Sequence, residues 1–244
     1  IIGFTGDGKA LEVLLKGLRR LEYRGYDSSG LALLTADGIR VVKRVGSVEN
    51  LEREASSLRE VKSSVGIAHT RWATHGGVSD RNAHPHTSCD GRVAIVHNGI
   101  IENFEELRAE LEERGHVFSS ETDSEVIAHL LEEELRRRPD DPRGALTSVV
   151  RRLKGSFAFI AISTWTSDAI LGARYNSPLV VGIGKGFSIP ASDVLSFLEW
   201  TDDAIFLENE SCAIIRPGSV ESWLITGEDL DLKVTKVAIE VSEV

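Results

Sequence analysis

The sequence predicts an α+β fold in which two antiparallel sheets stack face to face with helices outside. Three observations lead there. Strand and helix signals are segregated along the chain and do not alternate one for one, which argues against a doubly wound parallel sheet. Hairpin signals recur, the clearest being Asp37-Gly38 between two apolar runs. The apolar runs are short and numerous, and 244 residues at 41% hydrophobic content suffice for one large domain with a sizeable core.

The elements follow in order. Residues 1–5 read as a short buried strand closed by Gly6-Asp7-Gly8. Ala10, Leu11, Leu14, Leu15, Leu18 and Leu21 then fall on one face at helical spacing, with Glu12, Lys16, Arg19 and Arg20 opposite. Residues 31–34 and 39–45 form a hairpin, and 48–59 are charged and helical. Two short strands, 65–69 and 93–97, bracket a polar loop. Asn103 is placed to cap a helix over 104–114 that Gly115 ends. Asp123 opens another helix to about Arg138, whose last turn carries three arginines, as the helix dipole favours. After the break at Pro139-Asp140-Asp141-Pro142 a helix runs to Lys154. Strands follow at 157–163, 169–173, 179–183, 204–207, 213–215, 222–224 and 234–241, with a short helix at 192–197.

Composition narrows the function. The formal net charge is −10; a surface this acidic repels phosphate backbones, so no nucleic-acid partner is expected. No apolar run approaches the roughly 20 residues of a membrane span. Cys89 and Cys212 are the only cysteines, which suits a reducing cytoplasm better than a disulfide framework. The sequence contains no methionine, so residues are expected ahead of Ile1 in the natural protein.

The polar loop reads HTRWATHGGVSDRNAHPH (69–86). Its histidines, with His97 beyond, could suggest a zinc-dependent hydrolase, but their spacing matches no familiar ligand set and structural hydrogen bonding is the preferred reading; no metal is expected. Cys89 lies in an exposed-looking turn with nothing to activate it, and Cys212 at the start of an apolar strand; both read as bystanders. In VAIVHNGIIENF (93–104) a strand delivers Asn98-Gly99 at its end. A side-chain amide beside a glycine N–H can form an oxyanion hole, or the pair can be a plain Asn-Gly turn. Arg71 offers a planar fork for a carboxylate, and Asp123 an acceptor for an ammonium, the two charges of a free amino acid. From spacing alone, Asp123 reads first as a helix N-cap. Arg24-Gly25-Tyr26-Asp27 either shapes a pocket wall or ends a helix.

Together, GLRRLEYRGYDSSG (17–30), the loop, VAIVHNGIIENF and SSETDSEVIAHL (119–130) follow one another in an order that resembles the glutaminase, or class II glutamine amidotransferase, domain of glutamine–fructose-6-phosphate aminotransferases (glucosamine-6-phosphate synthases). GARYNSPLVVGIG (172–184) and IPASDVLSFL (189–198) extend the likeness over essentially the whole chain. The resemblance implies a four-layer αββα sandwich of the N-terminal-nucleophile type. It implies hydrolysis of the glutamine side-chain amide without a cofactor, with ammonia passed to sugar-isomerase domains that would follow residue 244, in a full-length homo-oligomer. Residue by residue, it puts Arg71 on the α-carboxylate and Asp123 on the α-ammonium of L-glutamine or L-glutamate. It puts Trp72, Thr74 and His75 on the pocket wall, Asn98 and Gly99 in the oxyanion hole, and Arg24 near the nucleophile. Most of the polarity of the 69–86 loop would then face the bound amino acid. The family pattern opens Cys-Gly before an apolar pair and a glycine; Ile1-Ile2-Gly3 matches from the third position, so the nucleophilic cysteine is expected two residues before Ile1. Without it, the chain would be a non-catalytic glutamine- or glutamate-binding module.

Overall fold

The computed structural model of the chain describes residues 1–238. Along the chain come β1 (Ile2–Thr5), α1 (Ala10–Leu21), β2 (Ser28–Thr35), β3 (Gly38–Val45), α2 (Val48–Glu54), β4 (Val65–Arg71), β5 (His86–Thr87) and β6 (Val93–Ile101). There follow α3 (Phe104–Glu113), α4 (Glu125–Arg137), α5 (Pro142–Val150), β7 (Gly155–Ser163), β8 (Ile170–Tyr175), β9 (Val180–Gly184) and β10 (Phe187–Ala191). The last strands are β11 (Asp203–Phe206), β12 (Ser211–Arg216), β13 (Ser219–Leu224) and β14 (Thr235–Lys236). They form an eight-stranded sheet, ordered β14-β11-β9-β10-β1-β4-β2-β3, and a six-stranded sheet, β13-β12-β8-β7-β6-β5. Neighbouring strands pair antiparallel in both.

Three apolar layers hold the sandwich together, as predicted. Leu14 and Leu18 of α1 and Leu51 of α2 pack on Ile2, Leu31 and Leu33 of the large sheet. Leu107, Leu130, Leu131 and Leu146 of α3, α4 and α5 pack on Val93, Ile95, Phe157 and Phe159 of the small sheet. Ala32 and Ile67 of the large sheet meet Val96, Ala158, Ile160 and Ile162 of the small one between the sheets. The central strands therefore alternate between two buried faces. Their continuous apolar sequences hide a period of two, because neither face meets water. Burying a leucine, isoleucine or valine in any of these layers is worth about 1.5–3 kcal/mol, and the strands that carry the site are held from both faces.

Several boundaries differ from the expectation. β6 does not end at His97 but runs through Asn98-Gly99 to Ile101, paired throughout with β7, so Asn98-Gly99 is no turn. Asn103 sits at the start of α3 without capping it; its amide instead donates to the Arg152 carbonyl and accepts from the Lys154 N–H. β10 was not expected: Pro190 lies inside it and Gly184 and Gly186 flank its hairpin, so its composition reads as loop. The segment 192–197 contains only a single 3₁₀ turn, Val194–Ser196. Of the strand expected at 234–241 the structure shows β14; residues 239–244 lie outside the described residues.

Candidate active site

β4 in the large sheet and β6 in the small one both end at a cavity of about 340 Å3, at the small end of the ~300–1,000 Å3 typical of ligand sites. Arg24, Arg71, Trp72, Thr74, His75, Asn98, Gly99 and Asp123 all line it, together with Ile1. The residues singled out as a site from the sequence thus share one cavity, although they span a hundred positions.

Arg24, in a 3₁₀ turn after α1, donates to the Ser192 carbonyl at 3.0 Å and pairs with Asp193 at 3.6 Å, beside Ile1. The following corner forms the pocket wall. The Asp27 N–H donates to the Arg71 carbonyl at 3.1 Å, and the Asp27 carboxylate accepts from the Ala73 N–H. Gly25 must be glycine, since a Cβ there would lie 2.7 Å from the Arg71 backbone carbon. Tyr26 packs edge-on against Trp72 at the exposed rim, 5.7 Å between centroids.

Arg71 is buried, and burial lowers its pKa against the opposing pull of Asp27 and Asp123. Its guanidinium donates to the carbonyls of His75, Gly76 and Gly77 at 2.5, 3.3 and 3.1 Å. The fork thus ties the loop to β4. Asp123 is not a helix cap. Its Oδ2 accepts the Ile101 N–H at 2.7 Å, which locks it to the end of β6, while Ser124 occupies the cap position of α4.

Asn98 projects from β6, and its Oδ1 lies 2.9 Å from His69 Nε2. With the ring proton on Nε2, the amide is oriented with both N–H groups of Nδ2 free for the cavity. Next along the strand, Gly99 adopts a φ of 107°, and a Cβ would come within 2.0 Å of the Ser156 carbonyl oxygen. Only glycine allows this kink.

Apart from His75, which lines the cavity, the loop histidines and His97 are buried and engaged with one another and with their neighbours. His69 and His84 stack at 4.1 Å, His84 Nδ1 accepts the His97 N–H at 3.2 Å, His97 Nδ1 lies 2.7 Å from Ser124 Oγ, and His86 Nε2 lies 3.0 Å from Thr122 Oγ1. Asn82 likewise bridges the Gly77 carbonyl and Glu121. The expectation that most of the loop's polarity faces a ligand is therefore corrected: most of it holds the loop onto β6 and the start of α4. Sequence reasoning missed His69 and His84 as supports of Asn98, because stacking and partner choice depend on residues far apart in the chain.

Burial pushes His69 and His84 well below the usual histidine range and His97 down to about 4. Well above pH 6.5 these rings are neutral both folded and unfolded. Below it the unfolded chain binds protons that the folded chain refuses, so stability falls as pH drops from about 6.5 toward 4, by up to about 1.4 kcal/mol per pH unit for each such ring. Thermal midpoints measured across this range should fall steeply, and less steeply in His97→Asn; a midpoint that stays level down to pH 4.5 would show that these rings titrate normally.

Cys89 is exposed, lies outside the cavity, and has its thiol pushed up by burial of the sulfur, the reverse of an activated nucleophile. Cys212 is fully buried in the small sheet's core.

The two-sheet sandwich with a polar cavity between its sheets is an amidotransferase fold of the N-terminal-nucleophile type, as its likeness to two solved structures shows. The structure superposes on glutamine phosphoribosylpyrophosphate amidotransferase from B. subtilis with a TM-score of 0.75, at 24% identity over 92% of this chain and 48% of that one. It superposes on the allosteric regulatory enzyme of purine biosynthesis with a TM-score of 0.76, at 25% identity and the same coverage. Residues 69–198 match the family described as glutamine amidotransferase domain, and the chain belongs to that family. It is also similar to enzymes named glutamine–fructose-6-phosphate aminotransferase (isomerizing): 48% identical to that of Streptomyces coelicolor over 96% of this chain, and 46% identical to that of Thermococcus kodakarensis over 100% of this chain. The chain spans 38% and 40% of those relatives' lengths.

Proposed function

We propose that this domain hydrolyses the side-chain amide of L-glutamine to glutamate and ammonia, and that the full-length protein transfers the ammonia to fructose 6-phosphate, giving glucosamine 6-phosphate. The observation that carries the reading is the gathering of Arg71, Asp123 and the Asn98-Gly99 pair around one cavity of metabolite size. The first two match the charges of an α-amino acid, and the pair matches the oxygen of an amide under attack.

In this reading a cysteine two places ahead of Ile1 is the nucleophile. Ile1 lines the cavity and its backbone nitrogen lies 3.1 Å from Ser192 Oγ, so a chain extended from it starts inside the site. The thiolate attacks the amide carbon while Asn98 Nδ2 and the Gly99 N–H take the developing oxyanion. The amine of that cysteine, having taken the thiol proton, passes it to the amide nitrogen, which leaves as ammonia, and water then cleaves the thioester to release glutamate and restore the thiol. Arg71 holds the α-carboxylate through guanidinium N–H groups beyond those given to the loop, and Asp123 takes the α-ammonium. Trp72, Thr74 and His75 line the pocket, and Arg24 orders the nucleophile's surroundings through Ser192 and Asp193. Isomerase domains of the same chain, a homo-oligomer and a cytoplasmic setting belong to this proposal, supported by the similarity to the isomerizing aminotransferases; no helix among the described residues is long and apolar enough to cross a membrane.

The test is glutamate release from L-glutamine by the full-length protein, with mass spectrometry of acid-quenched samples. Turnover with a glutamyl adduct on an N-terminal cysteine is the expected result. Binding without turnover, by a mature chain that lacks the cysteine, would make this a non-catalytic glutamine-binding module.

A further inference from the structure

Away from the cavity, Cys89, His116, His129 and Glu132 each bring a ligand atom to one place, all within 4.8 Å of one another. They arrive from three separate segments: the turn before β6, the connection between α3 and α4, and one face of α4. His116 and His129 approach each other through Nδ1 at 3.1 Å, and the Cys89 sulfur lies 3.6 and 3.4 Å from the same two atoms.

Proton bookkeeping shows what this arrangement asks for. His129 Nε2 lies 3.1 Å from Glu125 Oε1, and His116 Nε2 lies 3.0 Å from Glu133 Oε1. Each carboxylate needs the ring proton on Nε2, so each neutral ring turns a bare Nδ1 lone pair toward the other and toward the sulfur. The Cys89 S–H can serve one of them only. The Glu132 side chain is almost completely buried; its Oε2 accepts the Cys89 N–H at 2.9 Å, and its Oε1 accepts from the exposed Arg136 at 2.8 Å, each oxygen keeping a second lone pair. Two facing lone pairs, a sulfur and a buried carboxylate are the donors of a cation site. Zinc bond lengths of about 2.0–2.1 Å to nitrogen and about 2.3 Å to sulfur make tetrahedral edges of about 3.3 Å between nitrogens and about 3.6 Å between nitrogen and sulfur. The three observed distances fall close to these edges. A carboxylate on the outer nitrogen of a metal-binding histidine is the usual second layer of a zinc site, and both histidines have one.

We infer that Cys89 Sγ, His116 Nδ1, His129 Nδ1 and a Glu132 carboxylate oxygen form a structural zinc(II) site. The mixed thiolate, imidazole and carboxylate set suits zinc, whereas magnesium and calcium take all-oxygen shells. Binding converts Zn2+ and the Cys89 thiol to a zinc thiolate and one released proton. With four protein ligands no coordination position is left for substrate, so the ion is a staple. It fixes the α3–α4 connection, which leads directly to Asp123. The link runs from His129 to Glu125, whose two carboxylate oxygens accept the Ser119 and Ser120 N–H groups at 2.8 and 2.7 Å.

The test uses the full-length protein, stripped of metal with a chelator and titrated with cobalt(II), alongside the zinc content of the protein as isolated. One zinc per chain, visible-range bands of tetrahedral cobalt and a thiolate-to-cobalt charge-transfer band are expected. Cys89→Ser, at an exposed and nearly isosteric position, should abolish the charge-transfer band and the rise in thermal midpoint that zinc gives the parent protein. Glu133→Gln, which leaves the four ligands in place but weakens the acceptor behind His116 along with the Arg114 pair, should weaken cobalt binding about 10–100-fold. A charge-transfer band that survives Cys89→Ser, or a stripped protein that binds cobalt without one, would overturn the assignment.

Discussion

Asn98→Ala in the full-length protein is expected to lower kcat for glutamine hydrolysis by about 10²–10³ and to leave KM for glutamine nearly unchanged, the effect of removing one preorganised oxyanion donor. The split between the two constants follows from the geometry. The Asn98 amide is held before any substrate arrives, by His69 on its oxygen at 2.9 Å and by the pairing of Asn98 with Ala158 on β7. Its free N–H groups gain most when negative charge develops on the attacked oxygen, so the loss falls on the transition state and spares the ground state. Asn98→Asp makes the stricter control. It keeps the size but replaces the donors with a carboxylate beside the oxyanion, and kcat should fall at least as far. His69→Gln, which disturbs only the positioning group, should cost less than either. An Asn98→Ala variant with normal kcat and a raised KM would move Asn98 from the oxyanion hole to substrate binding.

How much of this site could be read in advance depended on how local each signal was. Arg71, Trp72, Thr74 and His75 share one segment, and Asn98-Gly99 another, so the order of motifs was enough to put them together. The chemistry of individual side chains was less legible. Asp123 stands where an N-cap stands, and only the Ile101 N–H, brought to it by the extension of β6, shows that it does something else. The spacing of the histidines in the 69–86 loop reads as structural hydrogen bonding, which His69, His84 and His86 do supply; only the family resemblance made the loop's polarity look ligand-facing, and the partners, such as the stacking of His69 on His84, lie too far apart in the chain to be read from it. β10 was invisible because a proline sits within the strand, between Val181 on one side and β1 on the other. The Cys89 cluster was hidden most thoroughly. Its donors are separated by 26, 12 and 2 intervening residues, so no local spacing announces them, and only the fold of the α3–α4 connection brings the sulfur to the two rings.

Asp123→Asn is expected to raise KM for glutamine by about 30-fold or more with little loss of stability. Asparagine retains an oxygen for the Ile101 N–H, so the lock between α4 and the end of β6 survives. What disappears is the charge. A buried carboxylate opposite an ammonium forms a charge-assisted bond, and removing one partner of such a pair costs about 2–5 kcal/mol, roughly 30-fold to several thousand-fold in binding. Asp123→Ala removes both functions. It should raise KM at least as far and also lower the thermal midpoint, because the Ile101 N–H is left without its partner; an unsatisfied buried donor costs about 1–3 kcal/mol. The pair of variants therefore separates the carboxylate's two roles. If Asp123→Asn left KM unchanged while Asp123→Ala lost only stability, the residue would be a structural brace. The ammonium of the bound amino acid would then need another acceptor among the groups that line the cavity, and the match between a free α-amino acid and this site would rest on Arg71 alone.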